Sequence, residues 1–290
     1  MTQRFQARTG EVGGIPVARN LPTRGRRQIG AWCFLDHIGP VTFDETEEGL
    51  RVAPHPHIGL QTFTWMIEGE LLHRDSLGTS QPIRPGEVNL MTAGNGISHT
   101  EESVFGERSL HAAQLWIALP EADRNTTPRF DHYPALPRWQ NQGATWTLLT
   151  GQYEARTADT LQYSPIVALD IDCELPQALR LALEPGFEYG VLPLIGSCDI
   201  EGERFEADEL AYLGSNLSTL TIDCTAGTRL LLIGGEPLGK DVVMWWNYVG
   251  YHQQEIVQAE QDWEAHSSRF GEIPEWQGER LEGPRSPWRR

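Results

Sequence analysis

Short apolar or alternating runs, separated by turns that contain Gly or Pro, fill the sequence from residue 30 to about residue 120. Ile58 to Ile67 is rich in Thr, Phe and Trp, and Glu87 to Thr92 follows the turn at Pro85-Gly86. Short segments of this composition with regular turn signals are typical of an antiparallel sandwich or barrel. A second region with the same turn style runs from roughly Ala144 to Glu236. The sequence therefore predicts an all-β protein with two similar β-domains in tandem.

The predicted domain organisation follows these two regions. We expect four segments: an N-terminal barrel over residues 1–125, a connector over residues 126–143, a second barrel over residues 144–251, and a helix with a tail over residues 252–290. Between His252 and Ala265, apolar residues lie at Ile256, Ala259 and Trp263, which is the spacing of an amphipathic helix. From Gly271 onward the chain is rich in Pro, Gly and Arg, and we expect this tail to be loosely ordered.

Composition excludes several classes of protein. Forty acidic residues against 23 basic ones give a net charge of −17, and such a surface disfavours direct binding to nucleic acid. No apolar run approaches the roughly 20 residues needed to cross a bilayer, and the first ten residues lack the apolar segment of a signal peptide. The cysteines have no CxxC spacing, so we expect buried thiols rather than a disulfide framework at Cys33, Cys173, Cys198 and Cys224. These features predict a cytoplasmic protein that binds neither membranes nor nucleic acid directly.

One local departure from the acidic composition lies at the N-terminus. Six arginines fall within the first 27 residues: Arg4, Arg8, Arg19, Arg24, Arg26 and Arg27. A charge cluster alone is a weak motif, and we expect these side chains to pair with carboxylates elsewhere on the acidic protein or to be solvated. A docking face for a protein partner is the alternative.

Two pairs of candidate metal ligands stand out in the first β-region. His55 and His57 form one pair at i and i+2, and His99 and Glu101 form the other. On a β-strand this spacing sends both side chains to the same face. The 41 residues between His57 and His99 are long enough for an antiparallel meander that points both pairs into one barrel interior. Three imidazoles and one carboxylate would suit a divalent ion such as Fe(II), Mn(II), Ni(II) or Cu(II), with two coordination positions left open.

Two further histidines lie in the same region but outside the i, i+2 pairs. We expect His37 and His73 to make hydrogen bonds that brace a loop or turn, with a position behind a ligand imidazole as the alternative for either residue.

The residues that line the pocket depend on whether the strand after His57 is interrupted. Without a bulge, Gln61, Phe63 and Trp65 would face inward. A bulge would instead turn Thr62 and Thr64 inward.

Several strings in this region resemble those of the pirin family, within the cupin superfamily of small β-barrels. They are Phe34-Leu35-Asp36-His37-Ile38-Gly39-Pro40, His55-Pro56-His57-Ile58-Gly59-Leu60-Gln61-Thr62, His73-Arg74-Asp75-Ser76-Leu77-Gly78, and Pro85-Gly86-Glu87 with Met91-Thr92-Ala93-Gly94-Asn95-Gly96-Ile97-Ser98-His99-Thr100-Glu101. The strings Leu231 to Leu238 and Trp245 to Val249 resemble a variant of the family's C-terminal end.

The resemblance implies two cupin barrels with a metal ion in the N-terminal one. By resemblance, His55, His57, His99 and Glu101 would be its ligands, and Fe(II) is the expected metal, with Ni, Cu, Mn, Zn and Co as alternatives. No histidine occurs between His132 and His252, so the second barrel is expected to lack a matching site.

The resemblance also implies a function. Similar proteins are dioxygenases that cleave quercetin or a related flavonol or polyphenol, so a small aromatic substrate and O2 would be the partners and Glu101 the general base. One alternative is a redox-sensing regulator that responds to its metal and binds a protein partner. Another is a dioxygenase-like enzyme that acts on an unidentified small metabolite.

Overall fold

The computed structural model describes residues 2–44 and 49–289, and the chain divides into two compact units. Unit 1 contains Met1–Thr9, Ala18–His37 and Ala135–Leu238. Unit 2 contains Gly10–Val17, Ile38–Pro134 and Gly239–Arg290. The units alternate along the chain, because the N-terminal segment contributes to both of them.

Most strands of the first half are short, as the turn spacing predicts. The strands are β1 (Gln3–Gln6), β2 (Arg8–Val12), β3 (Ile15–Leu21), β4 (Trp32–Thr42), β5 (Arg51–His57), β6 (Leu60–Glu68), β7 (Leu71–Asp75), β8 (Ser80–Ile83), β9 (Val88–Thr92), β10 (Ile97–Ser103), β11 (Ser109–Ala118), β12 (Arg129–Tyr133) and β13 (Arg138–Asn141). Strands β4, β6 and β11 are longer, with 9 to 11 residues.

The second half continues in the same style and ends in a helix. Its elements are β14 (Ala144–Thr150), β15 (Gln152–Tyr153), β16 (Arg156–Thr157), β17 (Ile166–Cys173), β18 (Gln177–Ala182), β19 (Glu188–Ile195), β20 (Ser197–Ile200), β21 (Glu203–Glu206), β22 (Glu209–Gly214), β23 (Thr219–Cys224), β24 (Thr228–Gly235), β25 (Val243–Trp245), β26 (Tyr248–Gly250) and α1 (Gln253–Glu264).

Unit 2 is a barrel made of a larger and a smaller antiparallel sheet. The larger sheet has the strand order β12-β9-β6-β11-β4-β3-β2, and the smaller one has the order β5-β10-β7-β8. Buried apolar side chains from both sheets pack together, among them Val52 and Leu71 from the smaller sheet and Met66 and Ala112 from the larger one. This apolar cluster holds the two sheets face to face.

Unit 1 repeats the arrangement. Its seven-stranded sheet has the order β1-β22-β19-β24-β17-β14-β13, and its four-stranded sheet has the order β18-β23-β20-β21. The core between them contains Trp146, Leu169, Tyr189 and Phe205. The prediction of an all-β protein with two barrels and a short C-terminal helix is confirmed.

Helix α1 follows the predicted apolar pattern. Ile256, Ala259 and Trp263 are buried along one face. At its N-terminus the Glu255 carboxylate accepts hydrogen bonds from the backbone N–H groups of Tyr251 (2.6 Å) and His252 (2.9 Å), as in a capping box. No helix among the described residues is long and apolar enough to cross a membrane.

The expectation of a loosely ordered tail after Gly271 is wrong. Ile273 and Ser286 are buried, and the Leu281 N–H donates to the carbonyl of Pro54 on β5 (2.9 Å). The Trp263 Nε1–H of the helix donates to the Leu281 carbonyl (2.9 Å). High Pro and Gly content excludes regular secondary structure, but anchoring side chains and hydrogen bonds to the barrel still order the segment.

Three of the N-terminal arginines make ion pairs within unit 1, as expected. Arg19 forms two parallel hydrogen bonds with the Asp36 carboxylate (2.8 and 2.7 Å). Arg4 pairs with Glu203 and Glu209, and Arg26 lies 3.8 Å from Glu188. The exposed members of the cluster are Arg4, Arg8, Arg24 and Arg27, and Arg8 donates to the Pro22 carbonyl (2.8 Å).

Arg19 and Arg4 form a matched pair for measuring the effect of carboxylate burial. Each guanidinium lies over a phenylalanine ring, but the Asp36 side chain is 2% exposed whereas the two partners of Arg4, Glu203 and Glu209, are 49% and 14% exposed. We expect Arg19→Met to lower the free energy of unfolding by about 3 kcal/mol, because it leaves a buried carboxylate without its partner. We expect Arg4→Met to lower it by about 1 kcal/mol or less. Urea unfolding of both variants checks this, and equal losses would contradict it.

The cysteine prediction is confirmed, because all four cysteines are free and buried. Burial also raises the pKa of the Cys198 thiol to about 12, which suppresses the reactive thiolate. The folded protein is therefore expected to react very slowly with Ellman's reagent. The protein denatured without reductant is expected to release four thionitrobenzoate ions per chain, one for each free thiol. Fewer than four would indicate a disulfide.

Candidate metal centre

The two predicted ligand pairs lie on neighbouring strands of the smaller sheet in unit 2. Strand β10 pairs antiparallel with β5, and His99 lies directly opposite His55. The register then shifts, so that Glu101 lies opposite Val52. The additional residue is on β5 beside Pro54, which has no N–H to donate to the ladder.

Three imidazoles converge on one point inside this barrel. The ring centroids of His55 and His99 are 4.3 Å apart, and His57 lies 5.0 Å from each of them. The three residues are at most 6% exposed, and one ring nitrogen from each falls within 4.8 Å of the others. Within residues 2–44 and 49–289 this is the one group of His, Cys, Asp and Glu side chains with such spacing.

Backbone carbonyls determine the tautomers of His55 and His57. The Nδ1 atom of His55 is 2.9 Å from the carbonyl oxygen of Ala53, and that of His57 is 3.0 Å from the carbonyl oxygen of Asn247. A carbonyl oxygen only accepts, so each Nδ1 carries the proton and each neutral ring keeps a lone pair at Nε2.

His99 reaches the same state through side chains. Its Nδ1 lies 3.3 Å from Nδ1 of His73, whose Nε2 lies 3.0 Å from the carboxylate of Asp75. Because the carboxylate accepts from His73, His73 in turn accepts from His99, and Nε2 of His99 is left with a lone pair. His73 therefore makes the bracing hydrogen bond that we predicted, and it also lies behind a candidate ligand.

The spacing of the free nitrogens fits a metal ion. Nε2 of His57 and Nε2 of His99 are 3.1 Å apart with no proton between them in these tautomers. Two lone pairs at that distance repel each other unless a cation lies between them. Nitrogens bound at right angles to one ion at about 2.1 Å would be about 3.0 Å apart, so these two atoms have the spacing of neighbouring ligands.

Burial keeps these imidazoles neutral. It lowers the pKa of His55 to about 4, and it lowers the pKa values of His57 and His99 well below the usual range, with further lowering by the neighbouring rings. The neutral imidazole is the form that binds metal, so the three rings are in their ligating state at neutral pH.

Glu101 lies on the same face but outside the three-histidine group. It is paired with His73 across β10 and β7, it is half-buried, and its carboxyl hydrogen-bonds with the Thr64 hydroxyl. Burial raises the pKa of Glu101 to about 7. Oγ1 of Thr64 also lies 2.8 Å from Oε1 of Gln114, so its one proton can go to either oxygen. Metal binding by Glu101 stays a prediction.

The strand after His57 is interrupted, so the second of the two lining alternatives holds. Strand β5 ends at His57, β6 begins at Leu60, and Gly59 between them has a φ of +68°, a conformation that favours glycine. Thr62 and Thr64 therefore share the inner face with Met66 of the barrel core.

Two aromatic residues that the sequence analysis did not single out flank the histidines. Trp116 lies opposite Thr62 on β11, and its ring meets that of His57 edge to face at 5.1 Å. Phe130 on β12 stacks on His73 with ring centroids 4.4 Å apart. Asn247 was also missed, because it lies 190 positions from His57 and contributes only its carbonyl. Neither ring belongs to a local motif, and the Trp245 to Val249 string, which contains Asn247, does not indicate the contact with His57.

The remaining histidines are not part of this centre. In unit 1, His37 makes a 2.7 Å hydrogen bond with Asp208, which confirms the predicted bracing role. In unit 2, the ring of His132 makes a 2.7 Å hydrogen bond with Asn89.

Comparisons with known proteins identify relatives over the full length of the chain. The family model described as Pirin matches residues 14–117, and the model described as Pirin C-terminal cupin domain matches residues 168–271. A Pseudomonas aeruginosa protein, provisionally named quercetin 2,3-dioxygenase, is 55% identical over 100% of this chain and 92% of its own length. A pirin-like protein of Caulobacter vibrioides is 34% identical over 90% of this chain and 92% of its own length.

A solved structure has nearly the same fold. The crystal structure of a quercetin 2,3-dioxygenase from Acinetobacter baumannii superimposes with a TM-score of 0.97 at 48% identity. It covers 100% of this chain and 97% of the other.

Loss of one converging imidazole tests the ligand assignment. We expect His57→Ala, purified without chelators, to contain far less than one metal ion per chain, because two imidazoles hold an ion much less tightly than three. His132→Ala is the control, since its ring makes its hydrogen bond elsewhere in the same unit. Elemental analysis measures both, and the reverse pattern would refute the assignment.

Proposed function

The chain belongs to the pirin family of the cupin superfamily, and on that premise we propose that it is a metal-dependent dioxygenase that cleaves quercetin or a related flavonol or polyphenol with O2. The observation that carries the proposal is the convergence of three buried imidazoles whose Nε2 atoms are free, two of them 3.1 Å apart. The relatives with a quercetin 2,3-dioxygenase name cover the whole chain, which supports the same substrate class.

The residues proposed to hold the metal are His55, His57 and His99, with Glu101 as the fourth ligand. Three imidazole nitrogens and one carboxylate oxygen suit Fe(II), which is the proposed ion, and they also suit Ni(II), Cu(II) and Mn(II). When bound, the metal supplies a Lewis acid for the hydroxyl oxygen of the substrate and a redox-active partner for O2.

Glu101 is proposed to handle the proton of the substrate. Its carboxyl lies on the same face as the histidines and is held by the Thr64 hydroxyl, so it can take the proton of a flavonol hydroxyl without leaving the barrel. In the overall reaction both atoms of O2 enter the organic product, and one carbon of the heterocycle leaves as carbon monoxide.

The aromatic surroundings favour a flat substrate. The rings of Trp116 and Phe130 lie beside His57 and His73 and give the centre apolar walls. Such walls stack against a planar aromatic compound and exclude water from the reacting atoms.

Metal-loaded protein provides the test of activity. We expect apo-protein reconstituted with Fe(II), Ni(II), Cu(II) or Mn(II) to consume O2 and release carbon monoxide with quercetin. Glu101→Gln is expected to lower kcat per bound metal about 10²-fold or more, because the proton acceptor is lost. His132→Ala is the matched control and is expected to retain the wild-type kcat. Oxygen uptake no faster than that with free metal would contradict the proposal, and activity with another aromatic compound alone would favour the unidentified metabolite.

The regulatory alternative has less support from the contacts. A docking face built on the N-terminal arginines would need free guanidinium groups, but three of the six, Arg4, Arg19 and Arg26, pair with carboxylates of unit 1. The free thiols support the proposed cytoplasmic location, where cysteines stay reduced.

A further inference from the structure

A line of three side chains runs from the proposed metal centre to a turn in unit 2. Strand β7 pairs with β10, so that Asp75 lies opposite His99 and His73 lies opposite Glu101. Nδ1 of His99 is 3.3 Å from Nδ1 of His73, and Nε2 of His73 is 3.0 Å from Oδ2 of Asp75. His73 is 5% exposed and Asp75 is 1% exposed, so water does not substitute for these contacts.

The turn after β7 holds the Asp75 carboxylate in one orientation. Oδ1 accepts hydrogen bonds from the backbone N–H groups of Leu77 (2.9 Å) and Thr79 (3.1 Å). Oδ2 is thereby directed at His73. Bonds of this kind stabilise a turn, and the contact of Oδ2 with a histidine is additional to them.

The chain of hydrogen bonds has one direction. A carboxylate only accepts, so Nε2 of His73 donates and Nδ1 of the neutral ring keeps a lone pair. That lone pair accepts from Nδ1 of His99, which leaves Nε2 of His99 without a proton. The stacking of Phe130 on the His73 ring, with an interplanar angle of 24°, holds this ring in the required plane.

His99 differs in this respect from the other two histidines. Backbone carbonyls, which no substitution at Ala53 or Asn247 removes, determine the tautomers of His55 and His57. For His99 the tautomer depends on two side chains. Among the three histidines, His99 is therefore the one whose tautomer can be reversed by substituting another side chain.

We propose that Asp75 and His73 are positioning residues that determine the tautomer of His99 and thereby keep its Nε2 open to the metal. This inference rests on the proposed metal centre and adds to it two residues that do not touch the ion.

The isosteric substitution Asp75→Asn discriminates between a positioning role and a structural one. The N–H groups of Leu77 and Thr79 require an oxygen at the Oδ1 position, so the amide NH2 group of the asparagine would face His73. His73 would then have to accept at Nε2 and carry its proton on Nδ1. That proton would point at Nδ1 of His99, and the relayed change would place the proton of His99 on Nε2, where the metal binds.

The expected result is weaker metal binding in a folded protein. Titration of apo-protein with Co(II) against a competing chelator is expected to show affinity about 10- to 100-fold lower for Asp75→Asn than for wild type. The Co(II) absorption bands are expected to shift, and ring ¹⁵N NMR of the zinc-loaded protein is expected to show His73 protonated at Nε2 in wild type only. The melting temperature of the apo-protein checks that the turn is retained.

A double-mutant cycle separates the relay from a general effect of the turn. His73→Phe keeps a ring against Phe130 but removes both nitrogens, so it is also expected to weaken Co(II) binding. If Asp75 acts through His73, adding Asp75→Asn to His73→Phe is expected to cause no further loss of affinity. Additive losses would overturn the proposal. If Asp75→Asn folds poorly, His73→Phe alone is measured, and Co(II) affinity equal to that of wild type would overturn the proposal.

The outcomes also separate this inference from the proposed function. If wild-type protein binds no Co(II), the metal centre itself is refuted. If wild type binds Co(II) and Asp75→Asn binds it equally tightly, with His73 still protonated at Nε2, the relay alone is refuted.

Discussion

The pairing of β10 with β5 on one side and with β7 on the other is the constraint on which the candidate centre depends. This register places His55, His99, Glu101, His73 and Asp75 on one face of a four-stranded sheet. A slip of one residue in either pairing would send one ligand pair to the opposite face. The register shift beside Pro54 lies next to the candidate ligands. It does not move His99 away from His55, because it falls between His99 and Glu101.

Burying so many polar groups in one barrel would destabilise it unless each group had a partner. For the three histidines the barrel supplies acceptors: two backbone carbonyls for His55 and His57, and His73, itself bonded to the Asp75 carboxylate, for His99. Desolvation also keeps the three rings neutral, so no buried like charges repel each other. What remains is a set of free Nε2 lone pairs, and a cation is the partner that suits them.

The C-terminal segment is part of this barrel rather than an appendage. The Asn247 carbonyl orients His57, and the Leu281 N–H binds the Pro54 carbonyl on the strand that carries His55 and His57. Composition suggested a loose tail because Pro and Gly exclude regular secondary structure. Order here comes instead from buried residues such as Ile273 and Ser286, whose contacts are not visible as a local pattern.

Particular residues show how far the sequence could be interpreted. The spacing of the His55/His57 and His99/Glu101 pairs, the turn-rich run between them and the family strings predicted an all-β, two-barrel chain with both pairs on the same barrel. Strand periodicity left two alternatives for the inner face after His57, and the backbone conformation at Gly59 decided in favour of Thr62 and Thr64. Trp116 and Phe130 could not be identified, because nothing in their local sequence distinguishes them from ordinary core residues.

The sequence by itself therefore determined the fold class and the types and same-face spacing of the candidate ligands, because these depend on local periodicity. Only the tertiary structure decided which nitrogen of each histidine is free, that the Glu101 carboxyl contacts Thr64, and that hydrogen bonds link Asp75 to His99 through His73. The physical reason is that hydrogen-bond polarity depends on atoms within about 3 Å of each other. Those atoms come from strands far apart in the chain, and folding alone brings them together.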